Sequence, residues 1–202
     1  MKGFITILLI SLTSILAFSQ TNKETEMINE INQIRETPKS FIPIIESYIS
    51  RNIRLLNMIE SGKLKVSSSN GNLDTQVINS NINEAKELIS VLDTTPSLPK
   101  LQFNIKMYEI TKKHSNYIDS IKKMTHIDKD GGTVNNRMSD LDLTIVSENL
   151  TINNGDIQSA LVNLLVDSRI KDRRHRKNLL DRKIKFISVS TSGYFWVQNF
   201  GK

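Results

Sequence analysis

Residues 184–201, Ile-Lys-Phe-Ile-Ser-Val-Ser-Thr-Ser-Gly-Tyr-Phe-Trp-Val-Gln-Asn-Phe-Gly, decide the class of fold. Residues 184–190 alternate apolar and polar side chains, the period of a strand with two unlike faces. Residues 194–200 carry Tyr, Phe, Trp, Val and Phe, the types that favour a pleated, buried surface. Thr191-Ser192-Gly193 between them has hairpin chemistry. Two strands therefore close the chain, and Tyr194, Phe195, Trp196 and Phe200 read as sheet and core packing.

Working back from the hairpin, helical periods dominate. Residues 156–166 repeat Ile157, Leu161, Leu164 and Leu165 at helical spacing. Residues 143–150 alternate weakly and predict a strand or extended segment. Residues 126–140 are polar, contain Gly131-Gly132 and predict a loop. Residues 102–123 form the strongest helical pattern, through Ile105, Tyr108, Ile110, Tyr117, Ile118 and Ile121. Earlier helices are predicted over 24–36 (Met27, Ile28, Ile31, Ile34) and 41–59 (Phe41, Ile45, Ile49, Leu56). Pro38 separates them. Residues 67–80, rich in Ser and Asn, predict a surface loop, and 81–92 a short helix ending before Pro96 and Pro99. Helices on either side of a short sheet define an α+β domain.

The first nineteen residues have the order of a secretory signal peptide: Lys2, an apolar run from Phe4 to Leu16, then Ala17-Phe18-Ser19. The mature chain is expected to begin at Gln20 or Thr21 and to be secreted or periplasmic. It has no cysteine, which excludes disulfides, a lipoprotein anchor, cysteine zinc sites and thiol catalysis. No second long apolar stretch follows, so no transmembrane segment is expected in the mature chain, and a monomer is expected. The 27 Lys and Arg against 21 Asp and Glu give +6, or about +5 without Lys2. That mild excess favours anionic envelope material over nucleic acid, which an exported protein does not meet.

Only three histidines are present: His114, His126 and His175. His114 lies inside a predicted helix and reads as a packed residue. His126 opens the polar loop, and His175 lies in Arg173-Arg174-His175-Arg176-Lys177. Glu148 sits in Ser147-Glu148-Asn149-Leu150, and Asp167 closes the 156–166 helix. Two imidazoles with carboxylates suit general acid–base work or a divalent cation, and only the fold can bring them together. No serine lies in a Gly-x-Ser-x-Gly elbow, which argues against that hydrolase class. Residues 169–183 hold eight Lys or Arg, a solvated loop or a contact patch for anionic polymers, with Arg173, Arg174 and Arg176 at its centre.

Five blocks, in order, resemble the CAP superfamily in its SCP-like bacterial branch. They are residues 27–38 with their Asn/Arg pattern before Pro38, and Leu98-Pro99-Lys100-Leu101 before a helix with His114-Ser115. Then come Thr125-His126 with Asp130-Gly131-Gly132 and Arg137, and Ser147-Glu148-Asn149-Leu150. The last is His175-Arg176-Lys177-Asn178-Leu179-Leu180 with Trp196-Val197-Gln198 and Phe200-Gly201. The resemblance implies a three-layer α-β-α sandwich, with 98–202 and 24–38 as the core and 39–97 as a helical elaboration. It implies a cleft lined by two histidines and two acidic residues. His126, Glu148 and His175 match three of these positions, and the fourth falls at Asp167 or Ser168. In some members such a tetrad holds a divalent cation; here His126, Glu148 and His175 would be the ligands and zinc a candidate. Ser147 and Arg174 stand where the family usually has glycine, and the charge of Arg174 argues against cation binding. The resulting expectation is a binding module whose cleft takes a small molecule, lipid or envelope polymer. A metal-assisted hydrolase using Glu148 as base, and an envelope protein acting through residues 169–183, are the alternatives.

Overall fold

The structure, a computed structural model, describes residues 20–64, 75–153, 156–168 and 170–202. The expected signal peptide lies outside them, as does the 67–74 part of the expected loop. Helix α1 (Asn22–Glu36) starts at a capping box, with the Thr21 side chain accepting from the Glu24 amide and Glu24 accepting from the Thr21 amide. A 3-10 turn at Pro38–Phe41 leads into α2 (Ile42–Glu60). Helix α3 (Thr75–Thr94) is longer than the sequence predicts. Ile78 belongs to the same buried stripe as Ile82, Ala85, Leu88 and Leu92, so its burial carries the helix into the Asn- and Ser-rich stretch expected to be loop.

Strand β1 (Gln102–Phe103) and α4 (Ile105–Ser120) replace the single helix expected from residue 102. The Gln102 amide donates to the Lys185 carbonyl, and the Asn104 amide to that of Ile187. The Asn104 side chain then accepts from the Lys106 and Met107 amides and starts α4. A one-turn helix α5 (Val134–Arg137) interrupts the expected loop, and β2 (Val146–Ile152) follows. Helix α6 (Ile157–Val166) is capped by Asp156. Helix α7 (Arg174–Leu180) is absent from the sequence reading, because it is short and one of its two buried residues is an arginine. The hairpin of β3 (Phe186–Ser192) and β4 (Phe195–Gly201) is present, turning at Gly193-Tyr194 with φ +56° at the glycine.

The sheet order is β1-β3-β4-β2, with β1 parallel to β3 and the other neighbours antiparallel. Strand β4 is therefore interior, and β2 forms an edge. Helix α4 covers one face, while α1 and α6 with α7 cover the other, giving the expected three-layer sandwich. The face towards α1 and α6 is mainly apolar: Ile187, Val189, Trp196 and Phe200 share one buried cluster with Met27, Ile31 and Leu161, and the buried Asn149 and Gln198 bond each other beside it. Ile45 of α2 and Ile78, Leu88 and Leu92 of α3 join the same cluster, so these two helices contribute to the common core. The face towards α4 is mixed. Ile118, Leu150, Phe195 and Val197 pack together, but beside them Thr111 bonds Ser188 at 2.6 Å, Ser115 bonds Ser190 at 3.0 Å, and Asn199 donates to Thr111 at 2.9 Å.

The Asn/Arg pattern of α1 is a clamp. The Asn32 side chain donates to the Leu101 carbonyl at 3.1 Å and accepts from its amide at 2.8 Å. The buried Arg35 guanidinium donates to the carbonyls of Pro99, Leu179 and Asp181, tying the ends of α3's exit loop and α7 to α1. Burial lowers its pKa to about 10, still charged at neutral pH.

Candidate functional site

Glu148 and Asn149 are neighbours in β2, so their side chains leave on opposite faces of the sheet. Each face carries one histidine of the site. Glu148 points to the α4 side, where its Oε1 lies 2.9 Å from His126 Nδ1 and its Oε2 accepts from Arg137 Nη2 at 2.5 Å. Arg137 also donates to the His126 and Gly132 carbonyls, fixing the loop that presents the imidazole. Both partners are buried, with side-chain exposures of 2% for Glu148 and 7% for Arg137. His114 lies behind them, fully buried, with Nε2 2.9 Å from the Thr125 carbonyl and 3.9 Å from Glu148 Oε1. Its Nε2 therefore carries the proton. Burial holds its pKa below the ordinary histidine value; Glu148 opposes that shift and Arg137 adds to it.

On the other face, Asn149 donates to the His175 carbonyl and accepts from the Asn178 side chain. His175 is oriented by Asp167, whose carboxylate lies 2.8 Å from Nδ1 and accepts from the His175 amide at 3.0 Å. Asp167 ends α6 in the left-handed conformation, which turns its carboxylate back towards α7. Arg173, also left-handed, donates to the Asp167 and Ile170 carbonyls.

The two halves meet at a cleft of about 1030 Å³ beside β2, lined among others by His126, Ser147, Glu148, Lys171, His175 and Lys177. Of the four predicted cleft residues, His126, Glu148 and His175 line this cavity. Asp167 acts on it through His175 and itself lines a neighbouring cavity. The predicted contact arginines divide. Arg173 pairs with Glu84 and Glu87, and Arg176 with Glu87 and the Leu165 and Val166 carbonyls, so both face α3. Arg174 alone is turned outwards, 78% exposed and bonded to Asp172. Sequence reasoning gave Arg137 no role, although it lies in the same block as His126.

Against a divalent cation, the donor set does not fit. Among the described residues, no three His, Asp or Glu side chains are grouped to hold a metal ion. Both Glu148 oxygens are taken, one by a guanidinium whose positive charge stands where the cation's would be.

The chain belongs to the CAP family, the cysteine-rich secretory protein family, whose model matches residues 28–200. The membership holds although the chain itself has no cysteine. Among solved structures, it is similar to an extracellular protein containing a SCP domain from Bacillus anthracis, at 21% identity and TM-score 0.46, over 69% of this chain and 45% of that one. It is also similar to an outer surface protein from Borrelia burgdorferi, at 18% identity and TM-score 0.44, over 60% of this chain and 90% of that one. A cysteine-rich secretory protein from Staphylococcus aureus matches at 14% identity and TM-score 0.43, over 61% of this chain and 38% of that one. The chain thus spans less than half of the first and third of these proteins. No curated protein matches it.

Proposed function

We propose that this chain is an exported CAP domain that works by binding, with the cleft beside β2 as its ligand surface. The observation that carries the reading is the cleft itself. It has the volume of a small-molecule site, and a fixed imidazole is presented from each face of the sheet. Each histidine has its Nδ1 against a carboxylate, which leaves Nε2 for a ligand. Among the described residues, no serine or threonine hydroxyl bonds to the His126 or His175 ring, so neither imidazole is set to activate a side-chain hydroxyl. That favours binding over hydrolysis through an acyl-enzyme. Export is supported by the predicted leader, and no described helix is long and apolar enough to cross a membrane.

Amide chemical-shift mapping of the purified protein tests the reading, with short uncharged glycans, fatty acids and phosphate esters as probes. At least one probe is expected to shift the amides of Ser147, Glu148, His175 and Asn178. The His126→Ala, His175→Ala double variant is expected to keep the fold and lose the shifts. Shifts that survive in that variant, or that cluster away from β2, overturn the proposal.

A further inference from the structure

We propose, resting on the cleft as the binding surface, that its ligand carries phosphate groups, engaged by Lys171 and Lys177. The charges in the wall are unevenly satisfied. Two carboxylates face the cavity, and each is already matched: Glu148 by Arg137 and His126, Asp172 by Arg174. Lys171 and Lys177 line the same cavity, are exposed, and form no direct ion pair among the described residues, Lys177 acting on Asp172 only at longer range. A ligand entering the cleft therefore meets uncompensated positive charge on the α7 side and a neutralised carboxylate on the other.

A second observation is independent of charge. The Ser147 Oγ is buried in the wall and has no hydrogen-bond partner among the described residues. A buried hydroxyl left unpaired costs free energy, and an acceptor oxygen brought by a ligand relieves it once the Ser147 side chain turns towards the cleft. Phosphate suits the whole set. It offers three acceptor oxygens to donors arriving from different directions, and ammonium groups engage it as point charges without a fixed fork. The cleft volume far exceeds one phosphate and leaves room for a chain or ester of several units. Elsewhere the wall cations are matched: Arg137 beside His114 is bonded to Glu148, and Arg176, which with Lys177 and Asp181 lines a cavity at α7, is bonded to Glu87. The cavity reached by Asp167 has no lysine or arginine in its wall, and the one beside His114 sets Lys113, Lys129 and Arg137 against Asp128 and Asp130.

Calorimetric titration with tripolyphosphate tests the proposal on wild type, on Lys171→Gln, Lys177→Gln, and on Lys63→Gln, Lys106→Gln as an equal change of charge elsewhere. The cleft pair is expected to weaken binding about tenfold, which is about 1.4 kcal/mol shared between two solvent-facing contacts. The remote pair should leave it unchanged. Equal losses in both pairs mean attraction to bulk charge and overturn the proposal. If tripolyphosphate fails while an uncharged trisaccharide shifts the Ser147 and Asn178 amides, the cleft remains the binding surface and the phosphate assignment falls. If neither acts there, both readings fall. Phosphatidylglycerol and phosphatidylcholine vesicles separate the sources of phosphate. Soluble binding alone assigns a polymer, added binding to the anionic vesicles assigns a lipid headgroup, and binding to vesicles without tripolyphosphate binding overturns the site.

Discussion

On the side of α1 and α6 the sheet presents Ile187, Val189, Trp196 and Phe200 to other apolar side chains. On the side of α4 it presents Ser188, Ser190 and Asn199 to Thr111 and Ser115. The same two strands, β3 and β4, supply both. Burial of apolar area is non-directional and strong, whereas buried hydroxyls bond only at set distances and add little net free energy. The first face therefore supplies most of the adhesion. The second supplies register, and it lets an ionised Glu148 sit in the same layer with its partners in place.

The largest effect is expected on the apolar face. Trp196→Ala removes a side chain that is 1% exposed and should cost about 3–5 kcal/mol in urea unfolding. Arg137→Met should come next, at about 3 kcal/mol, because it strands a buried carboxylate. Combining it with Glu148→Met should recover most of that loss, since an apolar pair needs no counter-charge. If the double variant is as unstable as the single one, the Glu148 layer is held by packing, and the contrast between the faces fails. Thr111→Val leaves the Asn199 amide nitrogen without its acceptor and should cost about 2 kcal/mol. A loss below about 0.5 kcal/mol would mean the hydroxyl ladder is incidental.

The smallest expected effect is a change in the shape of a pH profile. Burial depresses the His114 pKa in the folded state, so the unfolded chain takes up the proton first. Stability is full above the unfolded value of about 6.5 and drains as pH falls from there through the lowered folded value. The urea midpoint should decline over that window in wild type. In His114→Gln the part of the decline due to this group should vanish. An unchanged profile would show that the imidazole is not buried neutral.

Much of the fold was legible because its strongest elements have long, clean periods. The 184–201 hairpin shows alternation and turn chemistry, and the stripe of α4 runs over four turns. What stayed hidden is short or tertiary. Strand β1 has two residues and exists through its pairing with Phe186 and Ile187. Helix α7 buries Arg176 against carbonyls of α6 and Glu87 of α3, and no local pattern signals a partner 89 residues away. That distance also explains why Arg173 and Arg176 read as surface charge while their carboxylates waited in α3. The site residues His126, Glu148 and His175 have no common period. Residue chemistry marked them as candidates, only the resemblance of whole blocks joined them in one cleft, and alternation along β2 accounts for how each histidine comes to its own face.

Strand β4 is the last of the four strands in sequence and is bonded on both sides, to β3 and to β2. While the chain is being made, β2 and β3 have no direct contact to close, and β3 holds only a two-residue partner in β1. Only β4 joins them, so the sheet, and with it the wall of the cleft, is closed by the last strand of the sequence, laid between its two neighbours.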